Sequence, residues 1–92
     1  MAQIKKLVLD VLKPHKPNAL EFAVALADLS SQLKVRLTVA EVDEKTESTI
    51  VFIEGGDVDY EAIAERITRL GGSIHSIDEV EVIGTGEASG SS

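Results

Sequence analysis

The 92-residue chain contains no cysteine and no tryptophan, and it has only one tyrosine and two phenylalanines. Without cysteine it can form neither a disulfide nor a thiolate metal site, and this absence fits a reducing compartment. No apolar run approaches the roughly 20 residues that a membrane-spanning helix needs. Asp10, Lys13 and Pro14 interrupt the N-terminal segment, unlike the apolar core of a signal peptide. We therefore expect a small soluble protein of the cytoplasm with no membrane partner.

The excess of acidic residues argues against nucleic acid as a partner. The net charge is −7, and it divides into +3 over residues 1–40 and −10 over residues 41–92. Binding to a phosphate backbone needs Lys and Arg side chains that displace counterions. A sheet that binds RNA also needs stacking aromatic side chains, and the expected central strands offer only Phe52. A solvated acidic surface without a binding role explains the negative charge equally well.

Apolar periodicity predicts six elements in the order β-α-β-β-α-β. The expected strands cover residues 4–13, 35–42, 48–54 and 73–83, and the first helix covers residues 19–32. Asn18 and Glu21 have the spacing of a capping box at the start of that helix. The second helix is expected to begin after Asp57 or Asp59, and Gly71 is expected to end it.

This order predicts an α+β fold, the ferredoxin-like split βαβ sandwich. Right-handed crossovers place both helices on one face of an antiparallel sheet with strand order 4-1-3-2. We expect one domain over residues 1–83 and a flexible Gly/Ser-rich tail over residues 84–92.

The two central strands are apolar on both faces, although helices cover only one face of such a sheet. If Leu7, Leu9 and Val11 meet the helices, other apolar residues point to the open face. An exposed apolar patch of this kind marks an interaction surface, here one for self-association. The expected interface residues are Val8, Leu12, Val51 and Ile53. Scattered surface hydrophobes are the alternative explanation.

The only two histidines lie in two His/Asp segments that the strand order brings to neighbouring strands. The candidate ligand or metal residues are Asp10, His15, Asp43, His75, Asp78 and Glu79. Carboxylates suit Ca²⁺ or Mg²⁺, whereas histidine shifts the preference toward Zn²⁺. Their spacing matches no recognised metal motif, so purely structural roles remain the alternative.

Three segments resemble recurrent motifs of the archaeal domain-of-unknown-function family 211. They are residues 9–15, residues 41–43 and residues 71–80, and the resemblance extends over about residues 4–83. It implies a ferredoxin-like fold, a homo-oligomeric assembly and an archaeal cytoplasmic origin, but no established activity.

The sequence contains neither a nucleophile pattern nor a phosphate-binding glycine loop. The leading hypothesis is a non-enzymatic homo-oligomer that binds a small ligand or a divalent cation. A metal-assisted hydrolytic enzyme using His15 and His75, and a purely structural assembly module, are the alternatives.

Overall fold

Both helices lie on one face of a four-stranded antiparallel sheet in this computed structural model, which describes residues 2–84. The elements are β1 (Ala2–Pro14), α1 (Ala19–Ala27), β2 (Lys34–Val42), β3 (Thr46–Glu54), α2 (Tyr60–Arg69) and β4 (Ser73–Gly84). The strand order β2-β3-β1-β4 is the predicted order, and the predicted ferredoxin-like fold is confirmed. Gly84 ends β4, and the rest of the predicted tail lies outside the described residues.

The core lies between the helices and one face of the two central strands. Leu7 of β1 lies opposite Ile53 of β3, and Leu9 lies opposite Val51. Residues directly opposite each other in an antiparallel pair point to the same face. These four side chains are buried against Phe22 and Leu26 of α1 and Ile63 and Ile67 of α2.

The predicted positions of Val51 and Ile53 on the open face are wrong. Both side chains are fully buried in the core, because the register sets them opposite Leu9 and Leu7. The apolar residues of β3 on the open face are instead Ile50 and Phe52. Val8 lies opposite Phe52, and Leu12 lies opposite Ser48, so Val8 and Leu12 lie on the open face as expected.

Helix α1 begins as predicted and ends earlier than predicted. The Asn18 side chain accepts a hydrogen bond from the Glu21 N–H, and the Glu21 carboxylate accepts one from the Asn18 N–H. The helix ends at Ala27 with Asp28 as its cap, rather than at residue 32. Asp28 and the two serines that follow favour turns over helix. Leu29 and Leu33 nevertheless pack against the core from the connection to β2.

Helix α2 is bounded by the residues that the sequence predicted. The Asp59 side chain accepts a hydrogen bond from the Ala62 N–H at its start. Gly71 follows its end with φ of +89°, a conformation that glycine adopts without steric cost. Within residues 2–84, no helix is long and apolar enough to cross a membrane.

Candidate functional site

A cluster of three ionisable side chains closes the core at the end of β1, and we call it the end cluster: Lys13, His15 and Glu47. Lys13 continues the buried row of Leu7, Leu9 and Val11, and its side chain is completely buried. Its ammonium lies 2.9 Å from Glu47 Oε1, donates to the Pro14 carbonyl at 2.8 Å, and lies 5.8 Å from the centre of the Phe22 ring. The buried charge is therefore paired and hydrogen-bonded, as a buried ammonium must be.

His15 joins the end cluster from the segment after β1. Its Nδ1 lies 3.0 Å from Glu47 Oε2, and its Nε2 lies 3.0 Å from the Glu44 carbonyl oxygen. Both neighbours are acceptors, so the ring satisfies both only when it carries two protons. The Glu47 hydrogen bond, helped by the Glu44 carbonyl, raises the pKa of His15. The hydrogen bonds from His15 and Lys13 lower the pKa of Glu47.

A second group of polar side chains lines a shallow pocket on the open face, and we call it the Asp10 pocket. It is lined by Asp10, Leu12, Ser48 and His75, and its volume is about 280 Å³. Asp10 lies at the centre of the sheet, opposite Ile50 of β3 and Ser76 of β4. Its side chain is half-buried, and within residues 2–84 it makes no ion pair.

The structure does not bring the two histidines into one site. His15 contacts Glu47 and Glu44 in the end cluster, on the helix side of the sheet, whereas His75 lines the Asp10 pocket on the open face. Among the described residues, no three His, Asp or Glu side chains form a group that could hold a metal ion. The two histidines that were predicted to lie together are thus on opposite faces of the sheet.

The side chains of the remaining three candidate residues lie outside both sites. The Asp43 N–H donates to the Thr46 carbonyl in the β2–β3 turn. Asp78 accepts a hydrogen bond from the Ser76 hydroxyl at 2.7 Å. Glu79 forms an ion pair with Lys6 at 3.0 Å. Each of these carboxyl groups is exposed and none lines the Asp10 pocket.

Basic side chains partly cover the rest of the open face. The Arg36 guanidinium lies 4.8 Å from the centre of the Phe52 ring, and the Lys6 ammonium lies 5.8 Å from it. Cations at these distances are attracted to the face of an aromatic ring, and their aliphatic stems shield apolar surface. The open face is therefore less exposed than its composition suggests.

Sequence reasoning missed Lys13 and Ser48 as site residues. The period-two row of β1 passes from Leu7 through Leu9 and Val11 to Lys13, and this periodicity could have placed Lys13 beneath the helices. Ser48 carried no comparable signal, because its position depends on the register between β1 and β3.

The fold and the two sites define a small ferredoxin-like protein with a pocket on its open sheet face. Residues 5–87 match domain-of-unknown-function family 211, described as "Uncharacterized ArCR", and the chain belongs to this family. An uncharacterized protein of the archaeon Methanocaldococcus jannaschii is 49% identical to it over 80 residues, which cover 87% of this chain and 82% of that protein.

Proposed function

We propose that this protein is a non-enzymatic, cytoplasmic homo-oligomer that binds a small ligand in the Asp10 pocket. The observation that carries the proposal is the half-buried Asp10 carboxylate on the open face of β1, which lies opposite Ile50 and has no ion-pair partner within residues 2–84. A partly buried charge without a partner is costly, and a ligand that supplies a positive group removes that cost. Polar groups that converge in a mainly apolar pocket are typical of ligand sites.

The pocket chemistry favours a small organic ligand that carries an ammonium group. Asp10 would accept hydrogen bonds from the ammonium, and Leu12 would contact an apolar part. Ser48 on one side of β1, or His75 on the other, would bind a further polar group of the ligand. A divalent cation is the competing ligand, with Asp10 and His75 as its protein ligands. Ca²⁺ and Mg²⁺ usually take at least six oxygen ligands, so bound water would have to supply most of them.

The lining residues also suggest a competing function, because Ser48, His75 and Asp10 supply the hydroxyl, imidazole and carboxylate of a hydrolase triad. A nucleophile and its base must lie within hydrogen-bond distance of each other. Ser48 belongs to β3 and His75 to β4, and these strands lie on opposite sides of β1. Their backbones are therefore about 10 Å apart, since neighbouring strands are about 4.8 Å apart. This separation favours binding over catalysis.

Titration of ¹⁵N-labelled protein, followed by NMR, tests the proposed ligand site. The probes are each common amino acid, and Ca²⁺, Mg²⁺ and Zn²⁺ in separate titrations. We expect an amino acid to shift the amide signals of residues around Asp10, Ser48 and His75. Asp10→Asn should abolish these shifts, because the amide keeps the shape and removes the charge. Asp57→Asn, which changes an exposed acid outside the pocket, should leave them intact.

Three results would argue against this assignment. A response to a divalent cation alone would replace the organic ligand with an ion. A response that survives Asp10→Asn would place the site elsewhere on the acidic surface. The absence of any shift with every probe would contradict the binding function. Light scattering on the wild-type protein tests the oligomer separately, and a monomer at all accessible concentrations would contradict it.

A further inference from the structure

Most of the exposed large apolar residues of the sheet lie on its two outer strands. On β4, the exposed fraction is 49% for Ile77, 52% for Val80 and 48% for Val82. On β2, it is 37% for Val39 and 65% for Val42. Each of these strands has one edge whose backbone groups pair with no other strand within residues 2–84. An edge that combines apolar side chains with unpaired backbone groups is a template for pairing with another chain.

The residues of β2 repeat the pattern with which β1 already pairs to β4. Residues 6–11 of β1 read Lys-Leu-Val-Leu-Asp-Val, and residues 34–39 of β2 read Lys-Val-Arg-Leu-Thr-Val. Both segments begin with lysine and then place an aliphatic residue at every second position. Both strands are antiparallel to β3 and therefore run in the same direction. The β2 strand of a second copy would thus run antiparallel to β4, as β1 does.

The β1–β4 register predicts how such a pair would align. Lys6 lies opposite Glu81, Leu7 opposite Val80, and Leu9 opposite Ile77. If β2 of a second copy took the same register on the free edge of β4, its Val35 and Leu37 would face Val80 and Ile77. This alignment would join the apolar rows of the two copies on the face that the helices cover.

Charge favours the same alignment. The acids Asp78, Glu79 and Glu81 give β4 three negative charges, and Lys6 contacts two of them, Glu79 at 3.0 Å and Glu81 at 4.0 Å. In the proposed register, Lys34 and Arg36 of the second copy lie opposite Glu81 and Glu79. Opposite charges at facing positions stabilise strand pairs and select the register.

We infer that copies of this chain assemble head to tail, with β4 of one copy pairing to β2 of the next in one continuous sheet. The inference deepens the proposed homo-oligomer by naming its interface, and it moves that interface from the open face to the sheet edges. A head-to-tail contact uses two different surfaces, so it forms a closed ring or a growing filament rather than a symmetric dimer. The competing arrangement is a symmetric dimer in which two β4 edges pair.

Two variants, each with one edge blocked, test this inference. Lys34→Glu with Arg36→Glu blocks the β2 edge by placing acids opposite acids. Ile77→Lys with Val80→Lys blocks the β4 edge with charges at positions that are about half exposed in a single chain. Circular dichroism should show wild-type secondary structure in both variants, because all four changes are at surface positions or at half-exposed ones. We expect each variant alone to lose the wild-type assembly and to run as a monomer of about 9.8 kDa.

The decisive measurement is native mass spectrometry of the two variants mixed in equal amounts. The β2-blocked variant keeps an intact β4, and the β4-blocked variant keeps an intact β2, so one interface can still form. We expect a heterodimer of twice the monomer mass of 9.8 kDa and no larger species. A β2-blocked variant that still dimerises by itself, or a mixture that stays monomeric, would overturn the inference. If the wild type is an oligomer, either result would contradict only the β4–β2 interface and not the proposed homo-oligomer. A monomeric wild type would contradict both proposals.

Discussion

The end cluster and the Asp10 pocket each contain a histidine and a carboxylate, and they differ in whether the carboxylate is paired with a basic side chain. In the end cluster, Glu47 lies between Lys13 and His15, and each of these two side chains has two hydrogen-bond partners. In the Asp10 pocket, the carboxylate has no ion-pair partner within residues 2–84. The comparison indicates that His15, which contacts Glu47 and the Glu44 carbonyl, stabilises the fold. The pocket with unmatched polar groups is the better candidate for binding.

The largest expected effect is the loss of the buried cation in Lys13→Met. The thioether would fill much of the volume, but Glu47 would keep only His15 as a hydrogen-bond partner, and the Pro14 carbonyl would lose a donor. Removing one member of a buried pair costs about 3 kcal/mol. Urea unfolding at neutral pH should show a fall of that size in the free energy of unfolding.

Lys16→Met is the matched control, because Lys16 is exposed in the same segment. Its stability should stay within about 0.5 kcal/mol of the wild type. Equal losses in the two variants would contradict the view that the end cluster stabilises the fold.

The next effect is a dependence of stability on pH that His15 and Glu47 produce together. The folded-state pKa of His15 lies above its ordinary value of 6.5, so its contribution is complete below that pH and is lost as the pH rises through the folded-state pKa. The pKa of Glu47 lies below its ordinary value of 4.5, so its contribution is complete above that pH and is lost as the pH falls through the folded-state pKa. Both contributions to stability are therefore complete between pH 4.5 and pH 6.5.

Urea unfolding from below pH 4.5 to well above pH 6.5, with two histidine variants, measures the effect. His15→Gln should flatten the loss of stability above pH 6.5, because the titrating ring is gone. His75→Gln should keep that loss, because His75 lies in the other site. The assignment fails if His15→Gln retains the wild-type slope. The effect should be smaller than that of Lys13→Met, because the His15 side chain is 41% exposed.

Removing the Asp10 charge should raise the free energy of unfolding, whereas Lys13→Met should lower it. Asp10→Leu replaces a half-buried carboxylate with an apolar side chain that lies opposite Ile50, and it should stabilise the protein by about 1 kcal/mol. The same change should abolish the amino-acid response of the pocket. A stability loss of that size, measured by urea unfolding, would show instead that Asp10 has a structural role.

The smallest effect is expected for Glu44→Gln, which tests how the end cluster uses this residue. His15 contacts the Glu44 main-chain carbonyl, and the Glu44 side chain is exposed. Its stability should therefore change by less than about 0.5 kcal/mol. A larger loss in thermal unfolding would show that the Glu44 side chain belongs to the cluster.

The sequence was sufficient for the fold because its local signals agree with one another. Asn18 and Glu21 mark one helix start, Gly71 marks the end of the other helix, and the order of the elements leaves one strand arrangement. Val51 and Ile53 were misplaced because residues 50–53 are apolar at every position, so periodicity could not show which face they share. Only the register with β1 decides it.

The candidate site was less predictable because it depends on contacts between distant segments. Strand order placed β1 beside β4, and the Asp10 pocket, which Asp10 and His75 both line, lies across these two strands. The path of the chain after Pro14 follows from no local pattern, and it directs His15 toward Glu47 on the other side of the sheet. The relation between the two histidines therefore required the three-dimensional structure.

The central place of β1 also governs the order in which this protein can fold during synthesis. β1 is made first, yet Leu7 lies opposite Val80 in the last strand. The β2–β3 hairpin, in contrast, pairs residues that are close in the sequence. Contacts between distant residues form slowly, because a long loop must close before the pairing compensates for its entropy. A nascent chain that ends before β4 therefore carries β1 with one unpaired edge, and the native sheet forms only after the last strand leaves the ribosome.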